Sequence, residues 1–122
     1  MVDLKTAIGF VVAHGDDIDR ARLAYLRTGA PADPELLALV EAGQLDGAGW
    51  PAQPDGTVAS IDATCFRLAE LADLGALGRP AARQALDWLA AGQRQDGTWE
   101  EDPALADQAP PWATPGDPEA RL

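Results

Sequence analysis

The chain reads as an all-α protein built from a repeated helical unit, and three observations predict this. β-Branched residues are few and no alternating apolar and polar run reaches five residues, so strand signals are missing. Apolar residues recur instead at helical spacing in five segments, each bounded by capping residues, glycine or proline. Finally, Gln44 and Trp50 reappear as Gln93 and Trp99 at a period of 49 residues, with an Asp-Gly pair inside both intervals. A fixed period of that length marks a stacked supersecondary unit.

The first helix places Leu4, Ala7, Ile8, Val11 and Val12 on one stripe and stops at His14-Gly15. A second, over about 17–28, carries Ile18, Ala21, Leu23, Tyr25 and Leu26, with Gly29 ending it, and pairs with the first as a hairpin. Asp33-Pro34 is an N-cap and first-turn pair for a third helix, whose Leu36, Leu37, Leu39 and Val40 are expected to face inward before Gly43. Ser60 caps a fourth, in which Ile61, Thr64, Cys65, Leu68, Leu71, Ala72 and Gly75 keep the helical rhythm. Because Ala63, Phe66, Ala69 and Leu74 occupy its other sides, this helix is expected to be mostly buried, as an inner layer against helices three and five. Pro80 opens the fifth, with Ala81, Ala85, Trp88 and Leu89 on its stripe and Gly92 at its end. The following segment is acidic, proline-rich and without a cation over 100–117, so it is expected to bury little, to be the most mobile part of the chain and to have Trp112 as its only large apolar anchor. Residues 118–122 read as the first turn of a helix with no room to continue.

Length and charge set limits. With 122 residues the chain supports one core, hence a single domain over 1–122: a first hairpin at 1–32, the two Gln/Trp units at 33–99 and the acidic loop with the helix start at 100–122. A formal charge of −11, from 20 acidic against 9 basic residues without any basic cluster, excludes nucleic acid as the expected partner. Cys65 is the only cysteine, so no intrachain disulfide can form. The apolar run at 7–13 is too short for a membrane span and follows Asp3 rather than a basic segment, so neither signal peptide nor anchor is expected. A cytoplasmic location fits best.

The repeated residues suit a clamp between units. A glycine at a helix end, Gly43 or Gly92, supplies the positive φ that turns the chain out of the helix. The glutamine beyond it can tie the loop to a neighbouring helix end while the tryptophan covers its amide. Residues 85–99, running from Ala85-Leu86-Asp87-Trp88 through Ala91-Gly92-Gln93 to Gly97-Thr98-Trp99, resemble the QW motif of the terpenoid cyclase and protein prenyltransferase superfamily, known also from squalene-hopene cyclases. Residues 60–75 look like the inner helix that precedes such a motif, and the resemblance covers roughly 33–122. The first copy departs from the pattern, with Ala48 where Gly97 stands and its glycines at Gly47 and Gly49. The resemblance implies an α/α-barrel, or toroid, of which about five helices make an open arc of hairpins. It further implies a hydrophobic, isoprenoid-like ligand, and completion of the arc by further sequence or by another copy of the chain.

Gln44, Trp50, Gln93, Gly97 and Trp99 are therefore expected to be structural, and no catalytic residue is assigned. The cyclases of this superfamily use an aspartate in a DxDD motif, which is absent; Asp16-Asp17-Ile18-Asp19 is explained by helix capping. Its prenyltransferases bind zinc through Asp, Cys and His. Asp62, Cys65 and His14 have the right types without the family's spacing, so no metal or other cofactor is assigned. Cys65 fits better as a small buried apolar residue, and His14 as a side chain that interacts with a helix C-terminus. Asp62, Cys65 and Trp112 remain as candidate ligand-facing residues, with Asp62 also suited to stabilise a helix N-terminus. Three functions follow: a hydrophobic-ligand module without a complete catalytic site, a cyclase-like isomerase with an unrecognised carboxylate, or a helical scaffold for protein contacts.

Overall fold

The computed structural model describes residues 1–108. Among them lie five α-helices, α1 (Leu4–His14), α2 (Asp17–Thr28), α3 (Pro34–Glu41), α4 (Ile61–Asp73) and α5 (Pro80–Gly92), followed by a 3-10 turn at Pro103–Asp107. The extended pairing between Pro51 and Ala59 is a single isolated bridge.

Local chemistry starts the helices. Asp3, Asp33 and Ser60 each accept a first-turn amide through the side chain, removing donors that a helix start otherwise leaves open. At α2, Asp16 accepts from the Asp19 amide at 2.8 Å and Asp19 from the Asp16 amide at 3.2 Å, a reciprocal capping box. The acidic cluster at 16–19 is thereby used in capping, with Asp17 paired to Arg20 at 2.8 Å.

Helix α4 is the centre of the fold: α3 and α5 pack against it, α2 also touches it, and α1 packs on α2. The core joins Leu37 and Val40 of α3, Trp50, Leu68 and Leu71 of α4, Leu74, Ala76, and Ala82 and Ala85 of α5. The alanines Ala82 and Ala85 are the residues α5 contributes to this core, and Ile18 and Ala21 of α2 pack against it partly buried. Each fully buried leucine here contributes roughly 1.5–3 kcal/mol.

Several expectations are corrected. Helix α4 is not buried all round: Ile61, Thr64, Leu68 and Leu71 are buried, but Phe66 is 73% exposed and Cys65 and Ala69 also face solvent. Gly75 lies beyond its end. Leu39 of α3 is 72% exposed, because α3 is covered on one side only. Neither α1 nor α2 holds a fully buried residue, and Leu4, Val12 and Leu26 are exposed. The acidic segment is not a structureless loop as far as Gln108. Leu105 is completely buried, Glu101 is 6% exposed, and Glu100 is ion-paired to Arg94. Leu105 anchors the segment, so Trp112 is not its only large apolar anchor. Trp112 and the helix start at 118–122 lie outside the described residues.

Candidate functional site

Within themselves the two Gln/Trp loops close the same glutamine and turn hydrogen bonds. Gln44 Nε2 donates to the Ala48 carbonyl at 3.0 Å, and Gln93 Nε2 donates to the Gly97 carbonyl at 2.9 Å. The Leu45 amide donates to Gly49 and the Arg94 amide to Thr98, at 2.9 and 2.8 Å; the turn inside closes from Ala48 to Leu45 and from Gly97 to Arg94. Each indole N–H reaches back to the last turn of the preceding helix, Trp50 to the Glu41 carbonyl at 3.0 Å and Trp99 to the Leu89 carbonyl at 2.7 Å. Those carbonyls belong to the helix terminus that lacks intrahelical partners.

The left-handed residue differs between the loops, Gly47 at φ 65° in the first and Gly97 at φ 85° in the second. Moving it by one register position leaves the acceptor carbonyls in place, which is how Ala48 can stand where Gly97 does. The helix exits also differ. Gly43 has φ 85°, whereas Gly92 has no positive φ and is the last residue of α5, correcting the expectation that both glycines turn the chain.

Among the described residues, only the first loop is clamped to a following helix. Gln44 Nε2 also donates to the Ala81 carbonyl in the first turn of α5 at 2.8 Å, and Gln84 Nε2 returns donors to the carbonyls of Leu45 and Ala48, both at 3.1 Å. Arg79 adds an ion pair to Glu41 at 2.7 Å. Gly49 lies so close to α4 that an added Cβ would stand 2.0 Å from Thr64 Oγ1, the atom that accepts the Trp50 amide.

Beyond Trp99 the chain folds back on the start of α4. Glu101 accepts from Ser60 Oγ at 2.6 Å and from the Ile61 amide, so one buried carboxylate and Ser60 together cap α4. A carboxylate at a helix N-terminus is favoured by the helix dipole. Gln108 and Thr57 exchange two hydrogen bonds, at 3.0 and 3.1 Å, pinning the far end of the segment.

Between this segment, the first loop and the C-terminal half of α5 lies a cleft of about 780 Å3. Leu45, Val58, Ile61, Trp88, Leu89 and Trp99 give it apolar walls, while Asp46, Arg94, Glu100, Glu101 and Asp102 bring charge. Asp62 and Cys65 are not among its lining residues. They lie one turn apart on α4, Asp62 half-buried and Cys65 exposed, so Cys65 is not the buried apolar residue expected. Partial burial and the charges of Asp62 and Glu101 push the Cys65 thiol above its ordinary value, keeping it protonated and weakly nucleophilic at neutral pH. His14 sits in the last turn of α1 with its ring 4.6 Å from that of Phe10. Among the described residues, no three His, Cys, Asp or Glu side chains stand together in a way that could hold a metal ion.

Glu101, Gln84 and Gln108 escaped the sequence reading. In the 49-residue register Glu101 falls opposite Ala52 and Gln84 opposite Glu35, so the period carries no sign of either. No helix among the described residues is long and apolar enough to cross a membrane. Comparison with family models, with curated proteins and with solved structures finds no match.

Proposed function

We propose that the chain is a helical-repeat domain of the terpenoid cyclase and protein prenyltransferase type, which binds a hydrophobic, isoprenoid-like ligand and lacks a complete catalytic site of its own. The observation that carries this reading is the pair of Gln/Trp loops, whose internal glutamine and turn hydrogen bonds recur at one period and support a common unit. The cleft between the loops, walled by Trp88 and Trp99, offers the ligand a place. A cyclase-like isomerase is the second reading, supported by the buried Glu101. Both oxygens of that carboxylate already accept hydrogen bonds, which disfavours it as an acid.

Titration with farnesol, followed by tryptophan emission and by calorimetry, tests the ligand reading. Saturable binding that is lost in Trp88→Ala, with the far-ultraviolet circular dichroism unchanged, is expected; no saturable binding overturns it. The open arc is expected to self-associate through the exposed Leu4, Phe10 and Val12 of α1. A sedimentation coefficient that stays monomeric at high concentration would refute that part.

A further inference from the structure

Among the described residues, four carboxylates line the cleft, those of Asp46, Glu100, Glu101 and Asp102, against one cation, Arg94. Arg94 is ion-paired with Glu100. Glu101 and Asp102 accept hydrogen bonds from uncharged donors, the Ser60 hydroxyl and the Ile61 and Ala104 amides, which orient the carboxylates without cancelling their charge. Asp46, Glu101 and Asp102 therefore leave a net negative lining on a chain that is itself at −11. Glu101 is buried and so is screened by salt less than the exposed Asp46 and Asp102, and a cleft walled by apolar groups focuses the field of all three. The same walls carry two half-buried indoles, Trp88 and Trp99. The Trp99 ring is held in place by its N–H bond to the Leu89 carbonyl. Indole faces attract cations and offer nothing comparable to an anion.

We infer that the cleft takes an apolar molecule bearing one positive charge, an organic ammonium, and rejects the same apolar chain when it ends in a diphosphate. This deepens the ligand reading above and rests on it. A diphosphate would bring several negative charges against three unbalanced carboxylates, with the lining's single guanidinium already engaged. An ammonium head instead meets carboxylates and indoles together, and its hydrocarbon body meets Leu45, Val58, Ile61 and Leu89.

Three probes with one chain and three heads separate the possibilities: farnesylamine as its ammonium, farnesol and farnesyl diphosphate, each titrated into the full chain below its aggregation limit. Farnesylamine is expected to bind at least about tenfold more tightly than farnesol, with the advantage shrinking as salt is raised, and the diphosphate most weakly. Asp46→Asn, an exposed position in the first loop, is expected to weaken the amine by about two- to fivefold, the scale of one exposed charge pair, and to leave farnesol unchanged. If farnesol binds as tightly as the amine, or the diphosphate binds most tightly, the charge inference falls and the hydrophobic-ligand reading stands. If none of the three binds saturably, both fall. An equal loss for amine and alcohol in Asp46→Asn marks a structural effect and also overturns the charge inference.

Discussion

Replacing each repeated tryptophan by alanine should separate two residues that the sequence makes equivalent. Trp50 is 2% exposed and packs in the core with Leu37, Val40, Leu68 and Leu71, whereas Trp99 is only half-buried. Truncating a fully buried aromatic ring removes about 3–5 kcal/mol, and Trp50→Ala should fall near the middle, about 4 kcal/mol. Trp99→Ala, whose ring is partly exposed and stands outside that core, should lose less, about 3 kcal/mol on the same scale. Trp50→Phe retains most of the ring but loses the N–H bond to the Glu41 carbonyl, a change of about 1–2 kcal/mol. A chain of this length has a total stability of roughly 6–18 kcal/mol, so the variants should remain folded enough to measure unless the parent lies at the low end. Urea denaturation followed by circular dichroism gives the three values, provided the slope with denaturant stays constant. A loss in Trp99→Ala equal to or greater than that in Trp50→Ala would refute the assignment of the first loop to the core.

Glu101→Ala should lose about 1.5–3 kcal/mol in the same experiment, since it strands the Ser60 hydroxyl and the Ile61 amide at the start of α4; Glu101→Gln, which retains one acceptor, should lose less. Equal stability of Glu101→Ala and the parent would remove the carboxylate from the cap. Gly49→Ala should lose about 1–3 kcal/mol, because its Cβ would overlap the Thr64 side chain as far as its own Cβ, and an unchanged denaturation midpoint would contradict the close approach. Iodoacetamide should alkylate Cys65 with a pH midpoint above that of a free cysteine, and Asp62→Asn should move the midpoint down. The folded chain holds the thiol proton more tightly than the unfolded chain, so this group's stabilising effect is complete below the ordinary thiol value and is lost as pH rises through the raised one. A midpoint equal to that of free cysteine would count against the carboxylates' influence.

How much was legible follows from the range of the forces involved. Helix starts at Asp3, Asp16, Asp33 and Ser60 involve a side chain and an amide two or three residues away, so adjacent letters specify them. The internal hydrogen bonds of both Gln/Trp loops close within a span of ten residues; the period marks the glutamines and tryptophans that make them, though not which carbonyls they reach. Burial is different, because the hydrophobic effect has no direction. Apolar residues on several sides of α4 do not say which side its neighbours cover, and only the positions of α2, α3 and α5 decided that Leu68 and Leu71 go inside while Phe66 stays out. The same holds for the cleft's acidic wall. Glu101 meets Ser60 across 41 residues, and Gln84 meets the first loop across 36 and 39. Such pairs carry no local signature, since each side chain is satisfied by a partner that only the folding of the intervening chain brings within reach.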